Sequence, residues 1–178
     1  MPTLRPFRDY DEHDVVNLFK YSGTIPVNKG TVVKIMGNGW KSTDETELLG
    51  DVGSAYNNTV SERYGVAAAV ADCGASDTPL GILLHDVKET DENGEKLIFN
   101  PRKAAEMQVS LSGQAVPVAT KGVFLYSGAT LGAQSPAGGT ALYTAANGEI
   151  TTGSAGTKIG TALGAKDSDN VVLIKLEL

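Results

Sequence analysis

The chain has one cysteine, Cys73, in 178 residues, so no internal disulfide framework can hold it together. It has two histidines, His13 and His85. A zinc site draws about four ligands from Cys, His and carboxylates, and a chain so poor in the first two offers little for one. Cations are outnumbered: 15 Lys and Arg face 21 Asp and Glu, for a formal net charge of −6 and a pI near 4.9. A general nucleic-acid binder needs clustered Lys and Arg to displace counterions from phosphate, and this balance argues against one. It fits a soluble protein or one that meets basic surfaces. Aromatics make up only 6%, with a single Trp, Trp40. The longest apolar runs, such as Val66–Ala71, fall far short of the roughly 20 residues that span a membrane. Met1–Arg8 has no apolar h-region and is followed by Asp9, Asp11, Glu12 and Asp14, so no signal peptide is expected.

Glycine is abundant, at 21 residues, and Ala, Thr and Ser are plentiful. Many Gly and Thr with few long helical periods lean toward β-structure with frequent turns. At this length folding removes roughly 70% of the chain's accessible surface, enough for one ordinary domain with its own core. Residues 140–153, TALYTAANGEITTG, place two short apolar and β-branched runs around Ala-Ala-Asn-Gly-Glu. Asn147 and Gly148 both tolerate positive φ, so the stretch predicts a β-hairpin. Further strands are expected at 31–36, 65–71, 80–84, 107–111, 115–118, 122–126, 158–163 and 171–176. Asn100-Pro101 sets a capping residue before Pro at the first helical position and predicts a short helix over 101–106. Turns are expected at 91–95 and 167–170. The fold class expected is mainly β: a compact β-sandwich or barrel with one or two short helices.

Residues 1–30 read differently and are expected to form an extended N-terminal arm ahead of a β-rich domain at 31–178. Four of the ten Phe and Tyr residues fall in the first 21 positions. Val15, Leu18 and Phe19 stand at helix-like spacing, which allows one turn of helix. An arm can add a strand to a neighbour's open sheet edge, and aromatic and Arg residues are the usual interface anchors. Arg5, Phe7, Arg8, Tyr10, Phe19 and Tyr21 are therefore the candidate contact residues, against the alternative that they pack on their own domain.

A second unusual stretch is the long polar segment 37–64, which holds Trp40. Loops longer than about 12–15 residues in a compact domain are usually functional or mobile. Trp40 is a possible loop contact, and with Tyr56 and Tyr64 it could form an aromatic platform for a sugar. Reactive chemistry is sparse elsewhere. Cys73 and His85 could form a thiolate pair, but a small buried cysteine at the end of an Ala-rich strand explains Cys73 more simply. In Asp91-Glu-Asn-Gly-Glu the glycine sits at the fourth position, where a calcium loop of the EF-hand kind needs it at the sixth. Asp167-Ser-Asp-Asn suits a side-chain-capped turn. Gly153–Gly164 lacks the Gly-Lys-Ser/Thr of a phosphate loop, and its glycines suit bulges or close strand approach. No catalytic residue, metal ligand or cofactor site is assigned, which favours a binding or structural protein over an enzyme.

Ser112-Gly-Gln-Ala-Val-Pro-Val-Ala-Thr-Lys-Gly-Val-Phe-Leu resembles a segment of small tailed-phage structural proteins. Lys158-Ile-Gly-Thr-Ala-Leu and Asn170-Val-Val-Leu-Ile-Lys-Leu are similar to the closing strands of the same group. The group includes capsid decoration, or cement, proteins. The resemblance covers roughly residues 107–178. It implies a β-tulip-like fold with an extended arm and a place in the virion on the outer surface of the capsid, after synthesis in the host cytoplasm. The implied partners are the major capsid protein and neighbouring copies of the chain in a homo-trimer, with no nucleic acid, membrane or cofactor. Two other readings stand beside it: a carbohydrate-binding or hydrolytic β-domain using the 37–64 loop, and a tail-tube or head-completion protein.

Overall fold

A computed structural model describes residues 3–6, 14–40 and 66–178. The described chain is mostly β, with a closed five-stranded barrel, a six-stranded half-barrel sheet packed on its side, and two short helices. The barrel runs β2 (Val15–Tyr21), β4 (Ala69–Asp72), β3 (Val32–Ile35), β5 (Gly81–Leu83) and β8 (Ala115–Ala119), closing from β8 back to β2. The six-stranded sheet has the order β1 (Thr3–Pro6), β9 (Lys121–Ser127), β13 (Val172–Glu177), β12 (Lys158–Ala162), β10 (Ala141–Thr144) and β11 (Ile150–Thr151). All its pairings are antiparallel. A parallel two-stranded pair, β6 (Asp86–Val87) with β7 (Val109–Ser110), brackets α1 (Pro101–Glu106). The second helix, α2 (Ala129–Gly132), follows β9.

Two apolar layers explain the arrangement. Phe19, Tyr21, Val33, Val70, Leu83, Val116 and Val118 fill the barrel interior. Val32, Ile82 and Ala119 belong to the same barrel strands but point outward. They join Leu4, Phe124, Tyr126, Leu142, Ile159, Ile174 and Leu176 of the six-stranded sheet in a second core. Strands buried on both faces read as unbroken apolar runs, which is why Thr31-Val-Val and Gly81-Ile-Leu-Leu lack alternation. A third, smaller cluster of Leu97, Ala104, Val109 and Leu111 seats α1.

The N-terminal segment departs from expectation. Where it is described it is not a separate arm: β1 pairs with β9 from Thr3↔Ser127 to Pro6↔Phe124, and β2 is a wall of the barrel. The helix-like spacing of Val15, Leu18 and Phe19 comes from a bulge. The register of β2 on β8 slips between Val16↔Val118 and Phe19↔Val116, so Asn17 and Leu18 lie opposite Pro117. The extra residue bends the strand locally, and Leu18 is left exposed.

Other expectations hold. β10 and β11 form the hairpin, with Asn147 at φ 57° and Gly148 at φ 67° in its turn. The Asn100 side chain accepts from the Lys103 N–H at 3.2 Å and caps α1. A β-carbon on Gly160 would lie 2.1 Å from the Lys175 carbonyl, the close strand approach anticipated for that glycine. The strand expected at 107–111 shrinks to Val109–Ser110, because Gln108 takes φ 54° and breaks the alternation.

Candidate functional site

Three places in the described residues bring chemistry-bearing or exposed apolar side chains together. The first lies where β3 leaves the barrel. Ile35, Met36 and Trp40 are 44%, 42% and 39% exposed, half of the exposed large hydrophobic side chains among the described residues in a stretch of six. Gly37 and Gly39, both at positive φ, turn the backbone there, and Gly39 closes against Ile35. A groove of about 470 Å³ runs beside this ridge, lined by Lys34, Ile35, Met36, Asp77, Thr78, Pro79 and Leu80. Its rim is an ion pair, Lys34 Nζ to Asp77 Oδ2 at 2.7 Å. That oxygen also accepts from the Gly74 N–H at 2.7 Å. The bond to Lys34, then the one from Gly74, holds the Asp77 carboxyl below its usual range, while the bond to Asp77 raises Lys34. Beneath the rim Cys73 is buried, and burial pushes its thiol up to about 11.

The second place joins β5, β6 and β7. His85 Nδ1 lies 3.3 Å from the Ser110 hydroxyl, a base beside a buried alcohol. Burial, helped by the Lys29 cation, lowers His85 from its ordinary value. The neighbouring Asp86 does not complete a relay. One of its oxygens accepts from the Lys29 backbone N–H at 2.8 Å and the other from Lys88 Nζ at 2.7 Å. The Cys73 thiol meets the Gly74 carbonyl at 3.4 Å, so the cysteine and His85 keep separate partners.

The third place is the acidic turn at 91–95. Asp91 Oδ1 accepts the backbone N–H groups of Asn93 and Glu95, both at 2.8 Å, and Gly94 supplies φ 82°. The other oxygen accepts from Lys103 Nζ of α1. Lys103 thus sits where a cation would, and Glu95 lies 3.8 Å from the same nitrogen. The Asp91 side chain is only 1% exposed, so this pair stitches the turn to α1 and belongs to the scaffold. Asp167 does the same in the 167–170 turn, accepting from Asp169 and Val171 at 2.9 and 2.8 Å.

Comparison with protein-family models, with curated proteins and with solved structures finds no match.

The candidate contact residues are scattered. Arg5 stands in register opposite Leu125 in β1. Phe7, Arg8 and Tyr10 lie outside the described residues, as do Tyr56 and Tyr64. Phe19 and Tyr21 are corrected: both are buried inside the barrel, because the strand period points alternate residues of β2 inward. The Tyr21 hydroxyl donates to Asp72 and is lost to solvent. Trp40 is exposed, and so are Ile35 and Met36 at the end of β3, where strand patterning alone marks no exposed surface. The signal was Gly-Asn-Gly directly after Met36, which turns the strand out of its barrel and leaves its last residues uncovered. Phe99, 81% exposed just before α1, was also missed.

Proposed function

We propose that this chain is a structural assembly protein which binds the outside of a tailed-phage capsid and stabilises its lattice. The observation that carries the reading is the ridge of Ile35, Met36 and Trp40 beside the groove of Pro79 and Leu80, rimmed by the Lys34–Asp77 pair. Exposed apolar side chains beside a groove with a charged rim are the make-up of a protein-binding surface. The phage assignment rests on the likeness of residues 112–125 and of the two closing strands to small tailed-phage structural proteins, a group that includes capsid decoration proteins. The partners are the major capsid protein and neighbouring copies, and lattice bracing of this kind proceeds without turnover. Co-sedimentation with emptied shells of the parent virus tests it. Wild-type chain should pellet with shells, and Ile35→Lys with Trp40→Ala should stay largely in the supernatant. Wild-type chain that never pellets overturns the reading, as would a variant that pellets equally well.

A second reading is favoured by the exposure of Trp40 alone: a carbohydrate-binding or hydrolytic β-domain. It predicts that Trp40 fluorescence responds to a sugar, and a flat response across a glycan panel removes it. A tail-tube or head-completion role shares the β-rich fold and differs in location, which labelling of intact particles distinguishes.

A further inference from the structure

The chain repeats itself. Phe19-Lys-Tyr-Ser-Gly23 returns as Phe124-Leu-Tyr-Ser-Gly128. Gly30-Thr31, six residues and then Asn38-Gly39 return as Gly139-Thr140, six residues and then Asn147-Gly148. Gly74-Ala75-Ser-Asp77 returns as Gly164-Ala165-Lys-Asp167, and Leu83 and Leu173 each stand six residues beyond that aspartate. The motifs keep their order, as two copies of one unit would. They also keep their places in the fold. Tyr21 and Tyr126 are buried at the ends of β2 and β9, each with its ring folded back on the glycine. A β-carbon on Gly23 would lie 2.4 Å from the Tyr21 hydroxyl, and one on Gly128 2.5 Å from that of Tyr126. Gly30 and Gly139 take φ 94° and 89°, and the next residue, Thr31 or Thr140, bonds through its N–H to the carbonyl three residues back. Gly39 and Gly148 take φ 68° and 67°. β3 pairs antiparallel with β4 as β10 does with β12. Only the last strand is placed differently: β5 joins β3, whereas β13 joins β12 and β9.

The repeat leaves one contact made and its counterpart open. The tip of the second unit is seated on the first. Gly148 is buried, donates its N–H to the Cys73 carbonyl at 2.9 Å and abuts Thr31 and Val32, and all three of those residues are buried too. The counterpart tip is Gly37-Asn38-Gly39, flanked by exposed Ile35, Met36 and Trp40. Among the described residues, a β-carbon on Gly37 would meet nothing within 4 Å and one on Gly39 would meet only Ile35. The counterparts of Thr31, Val32 and Cys73 are Thr140, Ala141 and Leu163. Thr140 and Ala141 are half-buried and Leu163 is exposed. A β-carbon on exposed Gly138 would lie 3.3 Å from the Leu163 carbonyl, so these residues form one patch.

We propose that the free tip of one copy docks on the Thr140–Leu163 patch of a second copy, repeating between chains the contact that Gly148 makes within one. The repeat selects the occupant, because each open surface is the counterpart of one that the chain already joins to the other. Charge does not oppose it. Residues 35–40, residues 138–141 and Leu163 carry none, although the chain as a whole is at −6. Tip and patch are different surfaces, so the contact is head-to-tail and successive copies close a ring or extend a chain. The inference rests on the ridge at Ile35 being a protein-binding surface, as proposed above, and names a neighbouring copy as what meets it.

Sedimentation velocity over a concentration series is the test. Wild-type chain should associate beyond the monomer. Ile35→Lys with Trp40→Ala spoils the tip and Leu163→Asp spoils the patch, and each should raise the Kd of association at least about tenfold. Mixing the two variants should restore one contact, giving a heterodimer that grows no further. The changes fall at exposed positions, circular dichroism and the melting temperature establish that each variant is folded, and Leu163→Ser serves as the milder change if Leu163→Asp is not. Wild-type chain that stays monomeric up to about 1 mM overturns the inference. So does a dimer that survives Leu163→Asp, as ridge meeting ridge would, or a mixture of the two variants that stays monomeric. Association restored by mixing, with no binding to shells, leaves this inference standing and removes the capsid reading. A monomer that pellets with shells through its ridge does the reverse.

Discussion

The Gly148 N–H donates to the Cys73 carbonyl at 2.9 Å, seating the tip of the 140–153 hairpin on the barrel. A β-carbon at Gly148 would lie 2.4 Å from Thr31 Cγ2 and 2.6 Å from the Val32 carbonyl, so only glycine fits, and its φ of 67° adds a second reason. Beside it the Glu149 carboxylate accepts from the Thr130 N–H at 2.7 Å and ties α2 to the same hairpin. The hairpin is framework: it locks the six-stranded sheet onto the barrel wall.

Gly148→Ala should therefore destabilise the fold by about 1–3 kcal/mol, through strain and displacement of Thr31. Urea denaturation measures it. Gly94→Ala is the comparison, since Gly94 shares positive φ but has open space around it. Equal losses at the two sites would show that close approach to the barrel contributes nothing.

Phe19→Ala should cost about 3–5 kcal/mol, a large part of the roughly 5–15 kcal/mol that holds a domain of this kind together. The same change at an interface anchor would leave the melting temperature alone and alter only binding. The melting curve of the isolated chain separates the two.

His85 gives a window in pH. Burial keeps its imidazole neutral in the folded state below the ordinary 6.5, while the unfolded chain takes up a proton there. The unfolded state then binds more protons, so stability falls as pH drops from about 6.5 toward the lowered folded value and levels off below it. His85→Gln should flatten that slope. Urea midpoints between about pH 7.5 and pH 5 check it, a range above the carboxylate transitions.

Asp91 acts lower. Its carboxyl is held below 3.8, chiefly by the bond from Lys103, with Glu95 and Asn93 adding backbone bonds. A depressed acid contributes stability above its unfolded value and loses it as pH falls through the folded one. Asp91→Asn should remove this acid-sensitive step and detach the turn from α1. Amide exchange at Asn93 and Glu95 should then accelerate before global unfolding.

Cys73 should resist thiol reagents near pH 8 in the native state, because it is buried and its thiol lies near 11. It should react at once in denaturant. Rapid native labelling would mean that the rim above it, Lys34 with Asp77, opens readily.

Local signals read well where the chain makes its own structure. Asn100-Pro101 marked α1, Asn147-Gly148 marked the hairpin, and Asp91 and Asp167 marked turns that close on their own backbone N–H groups. Each depends on contacts within a few residues, so composition and spacing suffice. The ridge at Ile35 was legible only in part, since exposure depends on which neighbours a strand lacks.

From residue order alone came a mainly β chain with short helices and glycine-set turns, because period, capping and positive φ are local properties. Closure of β2 on β8, and with it the burial of Phe19 and Tyr21, was settled by pairing between residues about a hundred positions apart. So was the division of neighbouring Val32 and Val33 between two cores, which depends on what packs on each side of a strand rather than on the strand itself.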